Sequence, residues 1–320
     1  MASPNSTFTE MVTTTLRDHP TAIADNVSGH NALYRRMKDK KKITKYTSGG
    51  YEIVEPLDYS ENSTFQRYSG FDTLNVGQSD VLSSAKYDWV QSAVSVVASG
   101  RELRMNSGKA QLINLVKARM KNAMRTAANR MSFDMYSSGS LSNQMGGLAH
   151  IIQTNGEGTV GGINSATYTF WKNQYKELDG TGTYADIKAD MQDLYLACTR
   201  GTDTPDLIVS TRDLYSAYWD TLTDLQRYGN ANEPADTIKT LKFAGADVVY
   251  DNNDNFGATD EKMYFLNTDY LALRVHPDAD WTPTDKKMSV NQDAEVVTLL
   301  WMGQMTCSNR SLQGVLIDAA

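Results

Sequence analysis

Cysteine is scarce in this chain. Two of its 320 residues are cysteines, Cys198 and Cys307, far apart and in no CxxC pair. That argues against a disulfide framework and against a structural zinc site. The four histidines (His19, His30, His150, His276) are scattered and form no HExxH, so a histidine-rich metal site has no support. Proline occurs seven times, and no Pro/Gly/Ser-rich linker divides the chain. Long apolar runs are missing too. The most apolar stretch, Val296 to Gly303, is far too short to span a bilayer. The opening MASPNSTFTEMVTTTLRDHP has neither a basic start nor an apolar core, so it is not a signal peptide, and NxS/T sites such as Asn62-Ser63-Thr64 mean nothing without secretion. The chain is expected to be soluble, made in a reducing compartment, and free of membrane partners.

Charged residues make up 22% and hydrophobic residues 40% of the chain, ordinary values for a globular protein of one large or two small domains. Folding at this length buries roughly 75% of the unfolded surface, enough for a true core. The net charge of −7 hides an asymmetry. Residues 1–135 carry 18 Lys/Arg against 13 Asp/Glu, and residues 136–320 carry 13 against 25. Neither half is basic enough for a dedicated nucleic-acid-binding domain.

Residues 1–30 are polar and aperiodic and predict an extended arm. A basic run follows, Arg35-Arg36-Met37-Lys38-Asp39-Lys40-Lys41-Lys42 and then Lys45. With no interleaved aromatics it reads as a solvated helix end or a docking strip for an acidic neighbour rather than a nucleic-acid patch. Residues 43–85 predict a long hairpin: Tyr51, Ile53, Leu57 and Tyr59 recur at period two, Ser48-Gly49-Gly50 forms a turn or bulge, and Pro56 confines the strand to an edge. Ser60 to Thr64 is a polar turn and Phe65 to Phe71 returns. Such a ribbon has little core of its own and must lie on its own body or on another chain. Tyr87 to Ser99 predicts a strand ended by Gly100. From Met105 to about Phe133, Met105, Leu112, Val116, Met120, Ala123, Ala127 and Met131 mark one face of a helix roughly 45 Å long, capped by Asn106 or Ser107. Lys117, Lys121 and Arg125 form a basic stripe beside that face. Beyond Gly139 the pattern is mixed α/β: helices over 185–198 and 213–228, and strands over 206–210, 247–250, 262–266, 271–275, 295–302 and 314–317. No repeat period of 20–50 residues is visible.

Motifs for chemistry are thin. Gly156 to Gly161 matches GxGxxG, but GINSATYTFW follows, with no helical stripe to carry a pyrophosphate, so a surface loop is expected. Asp251 to Gly257 is similar to a calcium loop out of register, with Phe256 where glycine and Lys262 where glutamate should stand, so an Asx-rich turn is expected. There is no GxSxG elbow, and nothing rises above background as an active site. No cofactor is expected.

Three stretches carry a resemblance: NALYRRMKDKKKITKYTSGGYEIVEPLDYSENSTFQRYSG (Asn31 to Gly70), AKYDWVQSAVSVVASGRELRMNSGKAQLINLVKARMKNAM (Ala85 to Met124) and TVGGINSATYTFWKNQ (Thr159 to Gln174). They resemble the major capsid protein of tailed double-stranded-DNA bacteriophages. The resemblance covers about the first half of the chain and rests on element order beyond Gln174. It implies an α+β fold of the Hong Kong-97 type, shared with encapsulin shells. The implied parts are an N-terminal arm (1–42), an extended E-loop (43–84), a peripheral domain with a spine helix (85–138 and 288–320), and an axial domain (139–287).

Implied with it is a non-enzymatic subunit that self-assembles into hexamers and pentamers of an icosahedral head, made in the host cytoplasm and ending in the virion. Candidate inter-subunit residues are Arg35, Arg36, Lys40, Lys41, Lys42 and Lys45 in the arm, and Gly49, Gly50, Tyr51, Ile53, Pro56, Asn62, Thr64 and Tyr68 in the E-loop. Lys117, Lys121 and Arg125 are candidates to face packaged DNA without sequence preference. Only about 30 residues precede the matching stretch, so a separate scaffolding protein is expected, with a portal and a decoration protein as further partners. Some relatives cross-link an E-loop lysine to a neighbour's asparagine. No lysine occurs from Tyr46 to Ala85, so mature shells should show no covalent ladder on denaturing gels. Rival readings are an encapsulin-type compartment, and a nucleotide-dependent α/β enzyme using Gly156 to Gly161.

Overall fold

The computed structural model describes residues 32–47, 49–105, 115–178, 184, 186–222, 241–251, 261–285, 287–288 and 292–318. The expected arm over 1–30, the helix caps Asn106 and Ser107, and the Asn/Asp run after Asp251 lie outside them. The described elements are, in order, α1 (Ala32–Asp39), β1 (Ile43–Lys45), β2 (Glu52–Asp58), β3 (Leu82–Asp88), β4 (Val90–Ser99), α2 (Gly100–Met105), α3 (Leu115–Tyr136) and α4 (Leu148–Ile151). Next come β5 (Thr159–Val160), β6 (Ile163–Asn164), β7 (Gln174–Glu177), α5 (Ile187–Ala197), β8 (Leu207–Ser210), α6 (Arg212–Asp220), β9 (Leu241–Phe243) and β10 (Ala246–Tyr250). Then follow β11 (Glu261–Leu266), β12 (Leu271–Pro283), β13 (Lys287–Met288), β14 (Ala294–Cys307) and β15 (Gly314–Asp318).

Two sheets organise the chain. The six-stranded one runs β7-β15-β11-β8-β10-β9. Its central strands β15 and β8 are buried on both faces, and all four residues of β8 are inaccessible, as its unbroken apolar sequence Leu-Ile-Val requires. One face packs on α5 and α6 through Met191, Leu194, Leu214 and Tyr218 against Ile208, Val248, Phe265 and Leu316. The other meets Leu33 and Met37 of α1 and Met135 and Tyr136 of α3 through Val209, Val249, Tyr264 and Val315. The five-stranded sheet runs β1-β12-β14-β13, with β4 on the opposite side of β14. Small residues on α3, Ala123 and Ala127, are buried, and Ala123 packs with Val96 and Leu299. Among the described residues no helix is long and apolar enough to cross a membrane.

Several expectations need correcting. Residues 32–39, where the basic run was expected to be a solvated helix end or a docking strip, form a helix docked on the body: Leu33 and Met37 recur one turn apart and are fully buried. The return strand of the ribbon is β3, not Phe65 to Phe71; Glu52 to Asp58 pair with Asp88 to Leu82. The stretch from Tyr87 to Ser99 is therefore two strands, broken at Trp89 where the chain passes from ribbon to body. Residues 43–45 pair in parallel with Leu273 to Val275, and β12 pairs with β14. The last strand, β15, lies inside the six-stranded sheet between β7 and β11, although the preceding β14 is the centre of the other sheet. Helix α3 runs to Tyr136; of the expected helix face, Leu112 and the side chains of Met105 and Val116 lie outside the described residues.

Candidate assembly surfaces

The ribbon is built in two parts with different physics. At its base, alternation along β2 turns Ile53, Glu55 and Leu57 inward and leaves Val54 and Pro56 exposed. Ile53 and Leu57 join Ala85 and Tyr87 in the main core. Glu55, though charged, is buried: Arg274 grips it with two bonds, Nε to Oε1 at 2.7 Å and Nη2 to Oε2 at 3.1 Å. Thr306 Oγ1 donates a third at 2.9 Å. A buried carboxylate persists only when paired in this way. The Tyr87 hydroxyl donates to the Cys307 carbonyl at 2.8 Å and accepts from the Cys307 amide at 3.2 Å, and burial holds its phenol well above the ordinary range. Pro56 pairs with Ser84 in a two-stranded ribbon, the edge placement its missing N–H demands.

Beyond Asp58 the ladder stops. From Tyr59 to Val81 short polar side chains take over: Asn62 Oδ1 accepts from the Thr64 amide at 2.9 Å, Asp72 Oδ2 from the Ser69 amide at 2.8 Å, and Gln66 Nε2 donates to the Thr73 carbonyl at 2.9 Å. This distal ribbon exposes a row of large apolar side chains, Phe65, Tyr68, Phe71, Leu74 and Val76, with Phe71 fully open and Val76 at 93%, and Leu82 at the start of β3 is exposed as well. Asn62, Thr64 and Tyr68 sit here, Gly49 and Gly50 (both at positive φ) form the turn at the base, and Tyr51 beside them is 90% exposed. Of the ribbon candidates, only Ile53 is interior.

The GxGxxG stretch lies against the ribbon's base. It is a loop closed by the β5–β6 hairpin, with no helix after it. Gly161, at φ +61°, accepts from the Lys86 amide at 2.9 Å, and a Cβ there would stand 2.8 Å from the Ala85 Cβ. Close approach of β3, not of a phosphate, requires this glycine. A groove of about 760 Å³ runs between β3 and this loop, lined by Leu82, Ser84, Ile163, Tyr168 and Phe170 among others.

The basic run meets acidic groups of its own chain. Arg36 pairs with Asp247 at 3.4 Å, Lys42 with Asp269 at 2.7 Å, and Lys40 with Asp206. Asp206 also accepts from the Thr268 amide and hydroxyl at 2.9 and 2.6 Å. The Leu33 amide donates to Asp251 Oδ2 at 3.1 Å, and so does the Tyr136 hydroxyl at 2.8 Å. Helix α1 is therefore a strap held by carboxylates from the acidic half, while Arg35, Lys41 and Lys45 are exposed. Sequence reasoning missed those carboxylates because they come from loops and strand ends 166 or more residues away. Reversing Lys40 and Lys42 to glutamate is expected to lower the chain's stability by about 1–2 kcal/mol, read by urea titration, because each half-exposed pair becomes a repulsion. On α3, Lys117 and Lys121 are exposed and Arg125 is half-buried. Both cysteines are buried, and burial pushes their thiols up to about 12, which suits packing rather than chemistry. Among the described residues no group of three or more His, Cys, Asp or Glu is placed to hold a metal.

No protein-family model matches the chain, and no curated protein matches it in sequence. Its similarity to solved structures is extensive. The capsid asymmetric unit of cyanophage A-1(L) aligns over 95% of this chain and 97% of that one, with a TM-score of 0.61 at 15% identity. The capsid of an empty GTA particle aligns over 93% and 92%, with a TM-score of 0.63 at 10% identity. The SrpI encapsulin of Synechococcus elongatus aligns over 93% and 92%, with a TM-score of 0.55 at 8% identity. End-to-end alignment at such low identity means that the path of the chain is shared rather than its residues, and this chain has the Hong Kong-97-type fold of phage capsid proteins.

Proposed function

We propose that this protein is the structural subunit of an icosahedral phage head, assembling into hexamers and pentamers that enclose double-stranded DNA. One observation carries the reading: on a capsid fold, the distal ribbon presents five large apolar side chains to solvent with no core of their own. An apolar strip of that kind is a surface waiting for a partner, and a ribbon laid on the next subunit makes a heterologous contact that closes into rings. The five-stranded sheet with α2 and α3 corresponds to the peripheral domain and α3 to its spine. The six-stranded sheet with α5 and α6 corresponds to the axial domain, and residues 52–88 to the E-loop.

Lys117, Lys121 and Arg125 would then face the packaged DNA. Scaffolding, portal and decoration proteins would be its partners, and the virion its destination. The role is structural rather than catalytic. The encapsulin likeness supports a second reading, a shell around a protein cargo.

Negative-stain electron microscopy of the purified chain, with mass photometry, tests the proposal. Closed shells, tubes or ring-shaped hexamers and pentamers are expected. A monomer at every concentration whose residues 59–81 resist protease would refute it, because the ribbon would then be packed within its own chain. Nucleic acid inside purified native particles, against a protein cargo, separates the two shells.

A further inference from the structure

Strand β4 is the outer strand of the five-stranded sheet. On one side it pairs with β14 without interruption, from Val90 opposite Gly303 to Ser99 opposite Ala294. On the other side, among the described residues, no strand pairs with it. The Gly100 amide donates to the Asp293 carbonyl at 2.8 Å, which fixes the phase of this antiparallel ladder. Even-numbered residues direct their backbone groups at β14. Gln91, Ala93, Ser95 and Val97 direct theirs outward. The Val97 carbonyl confirms this phase by accepting from Arg119 Nη1, outside the ladder, at 2.7 Å.

Proteins protect open edges with lysine, proline, a bulge or shortness. Along Gln91 to Ser95 this edge has none of these; at its end the paired Arg119 and Glu102 bond the Val97 carbonyl and the Ser99 amide, at 2.7 and 3.0 Å. It is ten residues long, shows no register shift, and carries no charged residue from Trp89 to Gly100. The side chains of its outward positions are exposed, uncharged and small or flexible. Every other open edge longer than two residues carries charge: Lys45 on β1, Lys176 and Glu177 on β7, Lys242 on β9, and Glu52, Asp58, Lys86 and Asp88 on the ribbon.

We propose that β4 pairs antiparallel with β4 of a second copy, about a two-fold axis at Val94. In that register Gln91 faces the partner's Val97 and Ala93 faces the partner's Ser95, so the four outward residues are self-complementary. About eight backbone hydrogen bonds form. Arg119 does not block them, because a carbonyl oxygen has two lone pairs. A chain of net charge −7 meets its own copy most readily where neither strand brings net charge, and among the longer edges of the described residues β4 alone carries no charged residue of its own, the Arg119–Glu102 pair at its end being neutral overall. The contact is isologous, unlike the head-to-tail ribbon contact, so it joins one ring to the next rather than building the ring.

The test is a cysteine at the axis. Val94 would face its own copy with Cβ atoms about 4.5–5.5 Å apart, close to disulfide reach, and both native cysteines are buried. Oxidised full-length Val94→Cys should run as a covalent dimer, and Val97→Cys, whose opposite residue is Gln91, should not. No dimer from Val94→Cys, or equal dimer from both, overturns the proposal.

Ser95→Pro removes only an outward N–H, so the ladder with β14 survives, and self-association should weaken at least about tenfold. Ser95→Lys should do the same should the proline variant melt early. Free rings that no longer join support the β4 contact and leave the ribbon contact standing. Unchanged closed shells from folded Ser95→Lys overturn it.

Discussion

Replacing Phe71 and Val76 with aspartate is expected to abolish closed shells while leaving the melting temperature of the isolated chain unchanged. Both side chains are almost fully exposed at the distal ribbon and touch no core of their own chain. Surface substitutions of this kind move stability by no more than about 0.5 kcal/mol. In a ribbon laid on a neighbour the same positions become interface anchors. Truncation of such anchors costs about 2 kcal/mol or more each, and an unpaired buried carboxylate costs more. The penalty recurs at every subunit of a ring, so assembly falls far more steeply than affinity at one contact. Mass photometry of the folded double variant reads the outcome. Normal shells would show that the ribbon tip faces solvent in the assembly and would remove the main support for the proposed function.

Arg310→Ala is expected to destabilise the chain by about 3–5 kcal/mol, a large part of a typical folding free energy of about 5–15 kcal/mol. Arg310 is fully buried, and among the described residues no carboxylate pairs with it. Its guanidinium donates instead to the carbonyls of Ile151, Trp171 (3.3 Å) and Glu157 (3.2 Å) and to Asn173 Oδ1 at 2.8 Å. Burial lowers its pKa to about 10, which still leaves it charged at neutral pH. One side chain thus pins α4, the glycine loop and the turn before β7 to the C-terminal segment. Removing it takes the donor from three carbonyls at once and leaves Asn173 Oδ1 with only the Gln153 amide, at 3.0 Å. Arg310→Lys restores the charge but not the planar fork, so it should recover only part of the loss. A thermal shift of less than about 2 °C for Arg310→Ala would refute this account.

Periodicity alone determined much of this protein. The buried strands at 207–210, 246–250, 261–266 and 314–318, and the helices at 187–197 and 212–220, lie where apolar runs and 3.6-residue spacing place them. The alternation of Ile53 and Leu57 and the confinement of Pro56 to an edge were equally legible, because side-chain direction in a strand depends only on parity. The sequence also showed that the ribbon has too little core of its own to stand alone.

Tertiary structure decided the rest, for reasons of distance along the chain. The return of the ribbon at Leu82 to Asp88 was hidden: Leu-Ser-Ser-Ala-Lys-Tyr-Asp reads as a strand only once Ala85 and Tyr87 have a core to enter. The strap-like docking of α1 depends on Asp206, Asp247, Asp251 and Asp269, whose sequence positions give no hint that they converge on it. The exchange of the C-terminal strands between two sheets, and the open edge of β4, are facts of pairing. A strand's own residues state which side chains point in; only its neighbours decide which backbone groups are left without a partner.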